Sequence, residues 1–180
     1  MTPLKVVVVG AGHLGSYHAE KFFNIENSQL VAICDPDLEK AKALAEKFNC
    51  QAVEDYKSII NDVDAALIAA PTPLHFQIAR DFLAEAKHLL IEKPITTTVD
   101  EAQVLCDLAE SKGVVLQVGH VERFNPALVS AREKLKEPLF IECHRLAPFK
   151  PRSTDVDVVL DLMIHDLDVI MSLTNSPVTS

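Results

Sequence analysis

The chain has 180 residues, enough for one sizeable core or for one complete domain and part of another. Hydrophobic residues are 48% and charged residues 24%, an ordinary balance for a soluble globular protein. A formal net charge of −9 and no basic stretch with interleaved aromatics argue against a nucleic-acid partner.

Cys34, Cys50, Cys106 and Cys143 are widely spaced with no CxxC pair, so they read as reduced thiols of a cytosolic protein. Met1–Pro3 leads straight into a strand, leaving no space for a signal peptide. No apolar run approaches the roughly 20 residues that span a bilayer. The expectation is a cytoplasmic, soluble protein without a membrane or nucleic-acid partner.

From the N-terminus the pattern alternates strand and helix, as in βαβ units around a parallel sheet. Leu4–Val9 is a continuous, largely β-branched run, as suits a central strand buried on both faces. Glycines follow, then a helix through about Asn24. Gln29–Cys34 reads as a second strand. Asp37–Phe48 reads as a helix with Leu38, Ala41, Leu44, Ala45 and Phe48 on one face. Ala65–Ala69 is a strand ended by Pro71 and Pro73, and Leu74–Ala86 is helical. His88–Glu92 is a strand ended by Pro94, Asp100–Ser111 a helix with Gly113 as C-cap, and Val114–Val118 the next strand. A domain boundary is expected near residue 120. Beyond it come a helix over Pro126–Lys136, a strand over Leu139–Leu146, a Pro-containing loop and an apolar helix over Val156–Leu173. The fold class is therefore α/β, a doubly wound parallel sheet over residues 1–120, followed by 121–180 as the beginning of a second domain.

Gly10-Ala11-Gly12-His13-Leu14-Gly15 fits G-x-G-x-x-G between a strand and a helix. Gly10 permits the tight turn, Gly12 lets the backbone approach a pyrophosphate, and Gly15 lets helix and strand approach closely. His13 and Leu14 complete the turn, His13 as a solvent-facing filler. Asp35 follows Gly15 by 20 positions, where a carboxylate can bond both ribose hydroxyls and repel a 2′-phosphate. NAD is the expected cofactor. Glycines that merely shape a turn, and an Asp35 that starts a helix, are the simpler alternative.

On the Val156–Leu173 helix, Asp157, Asp161, His165 and Asp168 fall within an arc of roughly 80°, and the rest of the surface is almost all apolar. Such a stripe faces a cavity or satisfies itself by hydrogen bonds. Periodicity alone leaves a catalytic Asp161–His165 pair and a buried structural pair equally open. Lys93, at the carboxyl end of a sheet strand, stands where doubly wound sheets bind ligands. A surface lysine is the alternative. His18, His88 and His144 carry no spacing signal and read as structural.

Four segments in order carry a family likeness: the glycine turn, Ala69-Ala70-Pro71-Thr72-Pro73-Leu74-His75, Glu92-Lys93-Pro94, and Asp161-Leu162-Met163-Ile164-His165-Asp166. Together they resemble the glucose–fructose oxidoreductase/inositol dehydrogenase (Gfo/Idh/MocA) family. The resemblance implies a Rossmann domain, then an α/β domain with a large, mostly antiparallel sheet, of which this chain would hold only the beginning. It implies an NAD-dependent enzyme oxidising a secondary hydroxyl, homo-oligomeric at full length and with no catalytic metal. In that reading His165 is the general base, Asp161 orients hydroxyl or imidazole, and Lys93 stabilises the charge developing on the reacting oxygen. Pro71, Thr72, His75 and Glu92 would meet the cofactor. Gly119–Pro126 resembles the family's linker, making His120, Arg123 and Asn125 candidates for substrate or for holding the fold.

Within the family, Val118–Ala127 and Arg145–Asp168 look most like the nucleotide-sugar dehydrogenases that oxidise the 3-hydroxyl of UDP-N-acetylglucosamine. Arg145, Lys150 and Arg152 would then be candidates for an anionic diphosphate. The alternatives are an inositol or free-sugar dehydrogenase, a non-catalytic NAD-binding protein and, least favoured, a metal-dependent hydrolase built on the Asp157/Asp161/His165 stripe.

Overall fold

A computed structural model describes residues 2–135, 138–146, 157–174 and 176–179. The chain divides into two compact units, Met1–Val118 and Gly119–Ser180.

The first unit holds strands β1 (Leu4–Val9), β2 (Ser28–Cys34), β3 (Gln51–Val53), β4 (Ala65–Ile68), β5 (His88–Ile91) and β6 (Leu116–Val118). They form one sheet in the order β3-β2-β1-β4-β5-β6, and every pairing is parallel. This is the Rossmann order, with the direction of winding reversing between β1 and β4. The connections are α1 (His13–Asn24), α2 (Leu38–Phe48), two short 3-10 turns, α3 (Thr72–Ala84) and α4 (Val99–Lys112).

The two faces of the sheet account for the apolar runs. Val7, Val9, Ala66 and Ile68 join Ile78, Phe82, Leu83 and Leu105 in one core cluster. Val8, Ile33 and Leu67 join Ala19, Ala41 and Leu44 in another. Because side chains alternate across a strand, a strand covered on both faces must be apolar at every position. Val6–Val9 are all buried, as the continuous run requires.

Three departures from the expected elements have local causes. β3 goes unannounced because a three-residue strand shows no periodicity. β6 begins at Leu116, since Val114 N–H still bonds Ala109 O at the left-handed Gly113 cap, and Val115 N–H donates to His88 Nδ1. α3 begins at Thr72 because a proline is tolerated in a helix's first turn, where its missing N–H is not needed.

The second unit has a 3-10 turn (Val121–Phe124), α5 (Pro126–Arg132), a π turn (Val159–Met163) and α6 (Ile164–Leu173). The expected strand over 139–146 is not formed. Leu139, Phe140 and Leu146 are exposed, and the described residues of this unit contain no strand to complete a ladder. The antiparallel sheet implied by the family likeness is likewise not among the described residues. α5 ends earlier than expected, and Lys136 and Val156 lie outside the described residues.

α4 starts with a complete capping box: Thr98 Oγ1 accepts from Glu101 N–H at 3.3 Å and Glu101 Oε2 accepts from Thr98 N–H at 3.2 Å. Thr98→Ala is expected to lower stability by about 1 kcal/mol, seen as a lower urea midpoint with an unchanged slope.

Candidate cofactor site and the residues of the second unit

The three turn glycines answer three different demands. Gly10 has φ +106°, and a Cβ there would lie 2.5 Å from Ala69 O. Its N–H donates to Cys34 O at 2.8 Å, pinning the turn to the end of β2. A Cβ on Gly15 would stand 1.8 Å from Gly10 O, so α1 approaches the turn only with glycine there. Gly12 is different, because a Cβ would meet nothing within 4 Å. Its bare backbone opens onto free space at the N-terminus of α1.

No side chain caps that N-terminus and no acidic residue stands in the first turn. The positive end of the helix dipole and its free N–H groups are thus left for an external anion. Open space at Gly12 together with an uncapped helix end fits the pyrophosphate of a dinucleotide. His13 and Leu14 are exposed beside it, and the His13 ring meets Tyr17 edge-on at 4.8 Å between centroids.

Asp35 sits at the end of β2 facing the turn. Its Oδ2 accepts from Ala11 N–H at 2.8 Å and its Oδ1 from Asp37 N–H at 2.9 Å. The carboxylate thereby ties the glycine turn to the start of α2, where Asp37 is the N-cap and accepts from Lys40 N–H. Next to it, burial first, then the Asp55 and Asp35 charges, pushes the Cys34 thiol up to about 12. Cys34 is a core side chain and no thiolate.

Beyond β4, Pro71 is the exposed N-cap of α3 and Thr72 is buried in its first turn. His75, expected to touch a cofactor, is buried in the first turn of α3. It is 1% exposed, with Nδ1 2.9 Å from Pro94 O and Nε2 2.8 Å from Ala70 O. A ring whose two nitrogens both lie on backbone carbonyls is an internal tie. Beyond β5, Glu92 is buried, its Oε1 2.5 Å from His18 Nε2 and its Oε2 accepting from Lys93 N–H at 3.3 Å. Lys93 follows, half-buried, and the Lys93–Pro94 peptide is cis. His18 is the residue that sequence reasoning missed. Its partner lies 74 positions away, and nothing local announces the contact.

In the second unit the polar stripe comes apart. Asp168 accepts from Arg123 at 2.7 and 2.9 Å through Nε, and Nη2 lies 2.5 Å from Oδ1. Burial, the largest single influence, would raise the Asp168 carboxyl, but the Arg123 hydrogen bonds together with the His120, Arg123 and His165 charges hold it below its ordinary value. His120 Nδ1 is 3.9 Å from the same carboxylate, too long for a hydrogen bond. Arg123 is thus engaged in holding α6 to the preceding turn. Asn125, another substrate candidate, is the α5 N-cap, accepting from Ala127 N–H at 3.0 Å. Asp157 accepts from Leu160 N–H at 2.9 Å, as a capping residue does. Arg145 forms a bidentate pair with Asp166. Lys150 and Arg152 lie outside the described residues.

Asp161 and His165 remain, both half-buried, with the π turn running from Val159 to Met163. Such a turn inserts one residue and slips the helical register by roughly 100°. The straight-helix spacing that groups Asp157, Asp161, His165 and Asp168 therefore does not carry across Val159–Met163. π turns are frequent at functional sites. Among the described residues, no group of three or more His, Cys, Asp or Glu is placed to hold a metal ion, and no helix is long and apolar enough to cross a membrane.

Residues 4–120 match the oxidoreductase family with an NAD-binding Rossmann fold known as Gfo/Idh/MocA. The chain is 41% identical over 177 residues to UDP-N-acetylglucosamine 3-dehydrogenase of Acidithiobacillus ferrooxidans, covering 98% of this chain and 56% of that protein. The crystal structure of that enzyme superimposes with a TM-score of 0.93, covering 100% of this chain and 60% of that one. Inositol 2-dehydrogenase of Rubrobacter xylanophilus is 33% identical over 175 residues, covering 92% of this chain and 50% of the other. GenD2 of gentamicin A biosynthesis, solved in complex with NAD, is 29% identical with a TM-score of 0.73, covering 76% of this chain and 40% of that one. The chain thus spans about half the length of the curated relatives it matches. On the family match over its first unit, and on relatives above 30% identity along nearly all its residues, the chain belongs to the Gfo/Idh/MocA family of NAD-binding oxidoreductases.

Proposed function

We propose that the chain serves an NAD-dependent dehydrogenase that oxidises a secondary hydroxyl of a nucleotide sugar, with the 3-hydroxyl of UDP-N-acetylglucosamine as the first choice. The observation that carries the cofactor half is the bare Gly12 backbone beside an uncapped helix end, with Asp35 at the neighbouring strand end. An ionised carboxylate has about four acceptor sites. The two bonds Asp35 makes within the chain leave it capacity for ribose hydroxyls, while its charge opposes a 2′-phosphate. The substrate half rests on the likeness to the Acidithiobacillus enzyme.

The assigned roles divide the two unavoidable tasks of alcohol oxidation. Bound NAD supplies the hydride acceptor. His165 takes the hydroxyl proton as the carbon loses its hydride and the C–O bond becomes a carbonyl. Asp161 orients that imidazole or the hydroxyl. Lys93 donates to the reacting oxygen and stabilises its developing charge. The first unit is assigned to the cofactor and residues beyond about 120 to substrate. A cytoplasmic location and a homo-oligomer complete the proposal, the former supported by four free cysteines.

A free polyol or inositol is the second reading. It is favoured by the engagement of Arg123 and Arg145 with Asp168 and Asp166, which leaves these two bases poorly placed to grip a diphosphate. NAD reduction assayed across UDP-N-acetylglucosamine, free sugars and inositols separates the readings. Reduction with inositol and none with the nucleotide sugar decides for the second.

Gly12→Val is expected to abolish NAD binding in a folded protein, since the new Cβ meets no protein atom within 4 Å and stands where a pyrophosphate must approach. Calorimetric titration and circular dichroism on the same sample read both. Wild-type protein is expected to prefer NAD to NADP, and Asp35→Ser to narrow that preference. Equal binding of both cofactors by the wild type removes Asp35 from the argument. Lys93→Met and His165→Ala are each expected to lower turnover about 10²- to 10⁴-fold, with NAD affinity nearly unchanged for His165→Ala. Near-normal turnover in His165→Ala would return the Asp161–His165 pair to a structural role.

A further inference from the structure

Lys93 is flanked by two residues that are each gripped by a histidine from a different helix. On one side, His18 of α1 places Nε2 2.5 Å from Glu92 Oε1, and the other Glu92 oxygen accepts Lys93 N–H. On the other side, His75 of α3 places Nδ1 2.9 Å from Pro94 O. The same His75 ring reaches Ala70 O with Nε2 at 2.8 Å, tying in the segment that leads to Pro71 and Thr72. Glu92 is 7% exposed and His75 1%.

None of these contacts is needed to complete the sheet. β5 ends at Ile91, and Glu92 N–H closes the ladder onto Ile68 O at 2.9 Å. The side chain of Glu92 and the carbonyls of Ala70 and Pro94 lie beyond that last rung. A carboxylate so deeply buried demands a donor, and His18 provides one from the helix that follows the glycine turn. A neutral imidazole donates from one nitrogen at a time, and both His75 nitrogens lie within hydrogen-bond distance of a backbone carbonyl.

We propose that His18 and His75 are positioning residues that clamp the Glu92-Lys93-Pro94 segment from both sides and set where Lys93 stands against bound NAD. The inference rests on the dinucleotide reading above and adds a division of labour to it. In a sheet of this order, the acidic residue after β2 marks the adenosine ribose. The β4 and β5 ends then fall to the other half of the dinucleotide. Loss of the clamp therefore weakens recognition of the nicotinamide half and spares the adenosine diphosphate half.

The test compares NAD with ADP, which lacks the nicotinamide riboside, by calorimetric titration of the whole chain. His18→Ala and His75→Ala are each expected to weaken NAD binding about tenfold, the scale of a lost hydrogen bond to a charged or buried group, with ADP affinity within about twofold of wild type. His18→Gln, which keeps a donor for Glu92, is expected to recover most of the loss. Should His75→Ala fail to fold, His75→Gln carries the same comparison. Parallel loss of NAD and ADP affinity would mark the histidines as merely structural, and unchanged NAD affinity in the alanine variants would likewise overturn the clamp. A wild-type chain that binds neither nucleotide overturns the cofactor reading and the clamp with it. A wild type that binds both, with alanine variants identical to it, overturns the clamp alone.

Discussion

Helix α1 meets the end of β1 with no clearance. The Cβ that Gly15 lacks would stand 1.8 Å from Gly10 O, well inside any contact distance. This approach fixes the height of the whole helix above the sheet. Ala19, one turn further on, is fully buried against the apolar layer because the helix is so close. His18 reaches Glu92 for the same reason. A helix standing off by the width of a methyl group would open the phosphate turn, uncover the small-residue face and take the imidazole out of reach of the carboxylate. One hydrogen atom in place of a side chain thus sets the fold and the candidate site together.

The carboxyl edge of the sheet is held by polar groups where a loop-rich surface would otherwise be mobile. Asp35 bonds two backbone N–H groups, one in the glycine turn and one before α2. Glu92 bonds an imidazole and a backbone N–H. Hydrogen bonds to a charged acceptor contribute about 1.5–3 kcal/mol each, two to three times a neutral one, and they also satisfy carboxylates that burial would penalise. The same oxygens retain lone pairs for a ligand. An edge built in this way is ordered before a dinucleotide arrives, so less ordering accompanies binding.

Local rules reveal what depends on local rules. The alternation of Val6–Val9 between two covered faces, the 20-residue interval from Gly15 to Asp35 and the left-handed Gly113 cap are all written within a few residues or one βαβ unit, and the sequence shows them. β3 is too short to have a period. A strand over 139–146 looks convincing as composition, yet a strand exists only with a partner, which composition does not supply. The polar stripe fails for two separate reasons: Asp157 stands before the helix and caps it by accepting Leu160 N–H, and Asp168 belongs to Arg123, 45 positions earlier. Contacts such as His18–Glu92 arise from the crossing of elements and leave no mark on spacing.

Arg123 and Arg145 look alike in sequence, two bases near a proposed anionic substrate, but their environments show what limits them. Each is locked bidentately to an aspartate on α6, and Asp168 is almost fully buried. Freeing Arg123 would take the hydrogen-bond donors away from the buried Asp168 carboxylate, with His120 Nδ1 standing off at 3.9 Å, and that opposes its release. Arg145 is the easier to redirect, because its partner Asp166 is more open to water. The pairing of Asp168 with Arg123 serves to hold α6, and with it Asp161 and His165, in register with the turn at Val121–Phe124.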